Sequence, residues 1–295
     1  MAGQPRHDDP LFILAMDHRD SFGRTLFGVR DDKPDPDQLR RMRAAKRLIF
    51  DGLIMAQDRL RYGRAGVLVD EQYGQEVIDE ARKLRDTIAL AVPVEASGHP
   101  WFTLQWGKEW LDRVERIGPD YAKVLVRDNP DLDPGDREQQ FDMLGEVSER
   151  LHEIGVPLLY ELLVPATDAQ LAAAGGDTER YDREIRPGLV VQVIADNQDH
   201  GIEPALWKVE GLETVRAAEL VAAQAKAGRR TADLIVLGRD APTERLNHWL
   251  EVASQVPAFV GFAIGRSIWE DVLRTGGGPD AVAERYLAFA GHWRG

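Results

Sequence analysis

The chain contains no cysteine. That excludes disulfides, thiolate metal ligands and a cysteine nucleophile, and it leaves the redox compartment open. Lysine is scarce as well: of 37 basic residues only seven are lysines, namely Lys33, Lys46, Lys83, Lys108, Lys123, Lys208 and Lys226. A chain that uses arginine for most of its positive charge can keep lysine for tasks that a guanidinium cannot perform. Forming an imine is one, because guanidinium stays protonated and is a poor nucleophile. Codon bias that leaves a few lysines by chance is the plain alternative. No stretch approaches the roughly 20 consecutive apolar residues of a membrane span, and the opening "MAGQPRHDDP" has no apolar centre of a signal peptide. A cytoplasmic location is therefore expected. The 50 acidic residues outnumber the basic ones and give a net charge of −13, which weighs against nucleic acid or an anionic membrane as the main partner. An anionic ligand then has to be met by a local basic pocket.

Eight short apolar runs alternate with longer segments: "LFILAMD" (11–17), "AGVLVD" (65–70), "TIALAVPVE" (87–95), "YAKVLVR" (121–127), "VPLLYELLV" (156–164), "ALWKVE" (205–210), "ADLIVLG" (232–238) and "AFVGFAIG" (258–265). Most are continuous rather than alternating, as parallel strands covered on both faces should be. The segments between them, such as "DQLRRMRAAKRLIFDGLIMAQDRL" and "GLETVRAAELVAAQAKAG", space their apolar residues at three and four in the manner of amphipathic helices. Eight β–α units in this order predict a (β/α)8 barrel. An open doubly wound sheet is the rival, but no G-x-G-x-x-G follows the first run and there is no P-loop. The stretch "AAAGGDTERYD" (172–182) reads as a surface loop and "TGGGPDA" as a turn before the last helix. Neither divides the chain, so the expectation is a single domain over residues 1–295, with 1–10 as an N-terminal extension.

In such a barrel the C-terminal ends of the strands face one mouth. Polar residues fall there in most runs: Asp17 and Arg19, Asp70 and Glu71, Glu95, Arg127 and Asp128, Gly238 and Arg239, Gly265 and Arg266. Each alone is ordinary loop polarity; the set in register is not. Lys123, Glu161 and Lys208 lie within runs. By period two Lys208 shares a face with Leu206 and Glu210, Lys123 with Leu125 and Arg127, and Glu161 with Leu159 and Leu163. All three sets can point inward. An interior ion-pair layer that only holds structure is one reading, because buried charges must be paired. The other is a Schiff-base site: desolvation and a second ammonium would lower one lysine's pKa, leaving free amine to attack a ketone, and a glutamate would move the protons. Glycine and arginine at the ends of the last two runs suit a phosphate, since barrels often bind one after strands seven and eight. The seven histidines form no H-x-H or H-E-x-x-H, so a histidine-rich metal site is not expected. His18 is placed at the mouth as a loop histidine. Asp17, Asp70 and Glu95 keep an Mg2+ set in view as a minor alternative, and without G-x-S-x-G a serine-hydrolase elbow has no support.

Taken together, "LAMDHRDSF", "VLVDEQYG", "YAKVLVRDNPD", "YELLVPAT", "WKVEGLE" and "GFAIGRSIW" resemble the aldolase-like C-terminal domain fused to bacterial 5-dehydro-2-deoxygluconokinase in inositol breakdown. More distantly they are similar to class I tagatose-1,6-bisphosphate and sulfofructose-phosphate aldolases. The resemblance runs from Leu11 to about Trp293. It implies a barrel with an imine-forming lysine on strand six, matched by Lys208, with Lys123 as the second lysine and Glu161 as acid and base. It also implies that Asp17 and Arg19, Asp70, and Gly265 with Arg266 belong to the substrate site. The chain departs from the tagatose enzymes at "RDNPD", where they carry tyrosines, and the kinase half has no counterpart within these 295 residues.

The expectation is thus a class I aldolase that needs no cofactor beyond its own imine. It would cleave a phosphorylated keto sugar or keto acid, with 2-deoxy-5-keto-D-gluconate 6-phosphate as first choice, to dihydroxyacetone phosphate and malonate semialdehyde. Lys208, Glu161 and Lys123 would be catalytic. Asp17, Arg19, Asp70, Arg127, Glu210, Arg239, Gly265 and Arg266 would hold substrate, with Arg19 or Arg127 for a carboxylate. The alternatives are an aldolase for sulfofructose phosphate or tagatose bisphosphate, and, from another class, a non-catalytic barrel that binds a sugar phosphate. Homo-oligomerisation is left open.

Overall fold

Continuous apolar runs form strands here because each is covered twice, by helices outside and by the other strands' side chains within. The computed structural model describes residues 4–31, 33–239 and 241–293; Met1 to Gly3 of the expected N-terminal extension lie outside the described residues. The strands are β1 (Leu11–Ala15), β2 (Arg64–Leu68), β3 (Ile88–Pro93), β4 (Tyr121–Arg127), β5 (Leu158–Leu163), β6 (Leu206–Glu210), β7 (Asp233–Leu237) and β8 (Phe259–Ile264). All pairings are parallel, in sequence order, and β8 returns to β1 to close the barrel. The expected (β/α)8 fold is the observed one.

The helices are α1 (Asp20–Phe27), α2 (Pro36–Gln57), α3 (Glu71–Ala81), α4 (Trp110–Ile117), α5 (Pro134–Glu153), α6 (Asp168–Ala173), α7 (Thr178–Arg180), α8 (Arg186–Asp199), α9 (Val215–Ala225), α10 (Thr243–Ala253), α11 (Arg266–Thr275) and α12 (Pro279–His292). Several begin on side-chain caps. Asp35 and Gln38 form a capping box before Pro36 at the start of α2, and Asp133 accepts from the amides of Gly135 and Asp136 in α5. No helix among the described residues is long and apolar enough to cross a membrane.

Alternation sorts side chains between two cores. Phe12, Leu14, Tyr160, Trp207 and Phe262 face the helices, whereas Leu11, Ile13, Ala15, Ala89, Ala91, Leu159, Leu206, Ile235 and Ala263 fill the barrel. The four interior alanines leave room above them that larger residues would close. The segment expected as a surface loop at 172–182 departs from that reading in its second half. Gly175 and Gly176 turn in the left-handed region, then α7 and a π-helical turn (Tyr181–Ile185) lead into α8. Tyr181 and Asp182 are buried, and the Tyr181 hydroxyl donates to the Val164 carbonyl at 2.9 Å. A buried tyrosine that satisfies a strand-end carbonyl is what pulls the segment inward.

At the seam between β8 and β1, Gly261 has φ +139, and a Cβ there would lie 1.9 Å from the Leu11 carbonyl oxygen. Only glycine fits without moving backbone. Gly261→Ala is expected to lower stability by about 2–4 kcal/mol, the scale of combined backbone strain and overpacking, as a reduced urea midpoint with the far-ultraviolet spectrum retained.

Candidate active site

Lys123 on β4, Glu161 on β5 and Lys208 on β6 do converge, and they form the floor of a cavity of about 340 Å3 at the C-terminal end of the barrel. Glu161 and Lys208 are direct partners across the β5–β6 ladder, and Lys208 Nζ lies 2.7 Å from Glu161 Oε1. The other oxygen of Glu161 is 2.8 Å from Lys123 Nζ. Lys123 is also 2.8 Å from Asp17 Oδ2 and 2.8 Å from Glu95 Oε1. Every one of these side chains is buried.

Their protonation follows from that packing. Burial by itself would lower Lys123, but Asp17, Glu161 and Glu95 outweigh it and hold the ammonium above the usual lysine range. Burial would raise Asp17; Lys123, with His18 and Lys208 behind it, reverses this and keeps the carboxyl far below the ordinary carboxylate range. Glu161 is likewise pushed up by burial and brought below its ordinary value by Lys123 and Lys208. Glu95 alone of the three is raised, since desolvation exceeds what Lys123 and Arg19 return. Lys208 pairs with Glu161 and Lys123 with three acids, so the two amines are not equivalent.

The rim carries the remaining strand-end residues. Arg19, Arg127, Gly238, Arg239, Gly265, Arg266 and Ser267 all line the cavity. Gly265 caps α11, and a Cβ on it would stand 2.6 Å from the Ala15 carbonyl oxygen and 3.0 Å from His18 Cε1. This close approach, not a left-handed φ, requires the glycine, and it turns the amino end of α11 toward the cavity, where its dipole favours an anion. Arg239 has φ 44. It is held there by Asp182, at 2.9 and 2.6 Å, and by Glu210 at 2.7 Å.

Two expected substrate residues do not line the cavity. Asp70 is turned into the N-cap of α3 by the Tyr73 amide at 2.8 Å and is bonded to Lys46. Glu210 accepts from the Val164 amide at 3.0 Å and from Arg239. Of the carboxylates considered as an Mg2+ set, Asp17 and Glu95 meet at Lys123 and Asp70 does not join them, and among the described residues no three His, Asp or Glu side chains are grouped to hold a metal ion. Beyond these, the structure adds residues that the sequence reading did not single out. Lys46, fully buried on α2, binds Asp70 and the carbonyls of Met16 and His18, so it fixes the backbone on both sides of Asp17. Asp182 anchors Arg239, Arg186 and Arg245. Its signal lay in a segment rich in glycine and charge, where no periodicity marks burial.

The family model described as "Uncharacterized protein conserved in bacteria (DUF2090)" matches residues 2–276. The chain belongs to this family. Among solved structures, a Corynebacterium glutamicum (Brevibacterium flavum) structural-genomics target is similar to this DUF2090 chain with a TM-score of 0.59 and 17% identity, covering 98% of this chain and 88% of that one. The apo form of a putative deoxyribose-phosphate aldolase from Toxoplasma gondii is similar with a TM-score of 0.52 and 12% identity, covering 98% and 96%. At such identities the likeness shows the barrel fold that the DUF2090 chain shares with them. Among curated proteins no relative matches.

His18 is brought to the cavity wall against Trp269, ring centroids 5.4 Å apart. Burial, with Arg266, Lys208 and Lys46 nearby and Asp17 opposing, lowers it to about 4. The unfolded chain therefore binds more protons than the folded one between about pH 4 and 6.5, and stability rises with pH across that window. The melting temperature is expected to fall as pH drops from 6.5 toward 4, and His18→Gln to flatten that slope. An unchanged slope in the variant would place the acid sensitivity elsewhere.

Proposed function

We propose that this protein is a class I aldolase in which Lys208 forms an imine with a phosphorylated ketone. The observation that carries this reading is the inequality of the two buried amines. Lys123 is enclosed by three carboxylates and stays protonated, while Lys208 faces the cavity with Glu161 2.7 Å away to take its proton.

With Glu161 as base, the free amine of Lys208 adds to the ketone carbon. The carbinolamine then loses its hydroxyl as water, with a proton supplied by the same carboxyl. Glu161, again a carboxylate, takes the proton of the hydroxyl on the departing carbon as the carbon–carbon bond breaks and its electrons pass to the protonated imine, so the aldehyde departs and an enamine remains. Protonation of the enamine carbon and hydrolysis release the second product and return Lys208. Lys123 holds Asp17, Glu95 and Glu161 in place and supplies the positive charge that keeps Asp17 and Glu161 ionised. The phosphate lies at the turn after β8, against Gly265, Arg266 and the amino end of α11, with Arg239 beside it.

The resemblance in "YAKVLV", "YELLV" and "WKVE" supports 2-deoxy-5-keto-D-gluconate 6-phosphate as first substrate, cleaved to dihydroxyacetone phosphate and malonate semialdehyde. Sulfofructose phosphate and tagatose bisphosphate are the comparison substrates.

Borohydride reduction in the presence of substrate is expected to add the dihydroxyacetone phosphate fragment to the peptide carrying Lys208. Lys208→Met should abolish both labelling and turnover. Glu161→Gln should slow turnover by roughly 10²–10⁴-fold, the range for losing a general acid or base, while trapping persists at a lower rate. Label on any other lysine would overturn the assignment, and loss of activity on adding a chelator would favour metal-assisted cleavage.

A further inference from the structure

Among the described residues four arginines line the cavity, and their surroundings differ. Arg19 is buried and donates to Gln105 Oε1 at 3.2 Å and Glu95 Oε1 at 3.3 Å. Arg239 is gripped by Asp182 and Glu210. Arg266 opens α11 on the β8 side. Arg127, the last residue of β4, is exposed, and among the described residues no carboxylate stands within ion-pair distance of it. Its recorded contact is Nη1 donating to the His99 carbonyl at a long 3.4 Å. A guanidinium so placed keeps its charge and most of its donors for something that enters the cavity.

The strand order gives that position a direction. Around the closed barrel β4 lies four strands from β8 by either route, and β6, with Lys208, lies two from each. A chain that starts at the turn after β8 and passes Lys208 reaches Arg127 on the opposite side of the mouth. Whatever stands there is the half released as the aldehyde.

The geometry points to Arg127 as the residue that reads a carboxylate at the far end of an open-chain substrate whose phosphate lies after β8. This rests on the aldolase reading for the phosphate end and for Lys208; the carboxylate reader is additional to it. A single planar fork matches a carboxylate through two parallel N–H···O bonds. A phosphate dianion at this end would lack the helix terminus available after β8. The next helix, α5, begins at Pro134, and its first amides are already taken by Asp133. Arg19, the other candidate for this role, is committed to Glu95 and Gln105 and acts instead as a strut between β1 and the segment after β3. The basic residue in "RDNPD" thus sets which aldehyde half is accepted.

The test uses two ligands that cannot form an imine: 6-phosphogluconate, with phosphate and carboxylate at opposite ends, and glucitol 6-phosphate, which lacks the carboxylate. By calorimetry the wild-type protein is expected to bind the first at least tenfold more tightly than the second. Arg127→Leu should bring the first down to the affinity of the second and leave the second within twofold of wild type, which also shows an intact site. Equal affinities in the wild type, no binding of either ligand, or a preference that survives Arg127→Leu would each overturn the assignment. Failure of the aldolase reading is read separately, from absent borohydride trapping at Lys208 with the keto substrate.

Discussion

Three carboxylates from three parts of the barrel meet one buried ammonium, and the mouth is organised around that meeting. Asp17 follows β1, Glu95 follows β3 and Glu161 lies within β5; each is 2.8 Å from Lys123 on β4. None of the four could be buried alone, because an unpaired ion in a low-dielectric interior is strongly disfavoured and breaking such a cluster from one side typically costs about 3–5 kcal/mol. The cluster fixes the side chain that touches Lys208. It also separates the two lysines chemically, since one is locked in its charged form and the other is left with a single acid.

What makes room for this layer is the choice of small residues beneath it. Ala15, Ala89, Ala91 and Ala263 occupy interior positions that branched residues usually fill. Long side chains from β4, β5 and β6 rise over them without crowding. On the opposite side the amino end of α11 approaches the mouth because Gly265 has no side chain to strike the carbonyl of Ala15. The polar floor and the arginine-lined rim both follow from volume left out of the sequence.

Much of this is legible in the sequence. The continuous apolar runs locate all eight strands to within about two residues, because burial on both faces removes the alternation that would blur their ends. Period two places Lys123, Glu161 and Lys208 on one interior face. Asp70, marked by its place at a strand end, and Glu210, marked by period two, are turned from the cavity for a local reason. At a strand's end the backbone leaves the pleat, and a nearby donor decides the direction: the Tyr73 amide for Asp70, Arg239 and the Val164 amide for Glu210. Lys46 was hidden in a different way. A lysine on an amphipathic helix reads as a solvated charge, and only the tertiary arrangement shows that it inserts between strand ends to reach Asp70 and two carbonyls. Asp182 was lost with the π-helical turn, which has no sequence period to recognise.

The floor also has a balance that bears on how the site responds to its surroundings. Asp17, Glu95 and Glu161 face Arg19, Lys123 and Lys208, three acids against three bases, all of them buried. Their formal charges sum to zero, whereas the exposed rim beyond them ends in arginine. Dissolved ions screen exposed charges over roughly 8 Å at physiological ionic strength and penetrate buried pairs far less. In the proposed aldolase, capture of the anionic substrate at the rim is therefore sensitive to the electrolyte, and events on the floor are insulated from it.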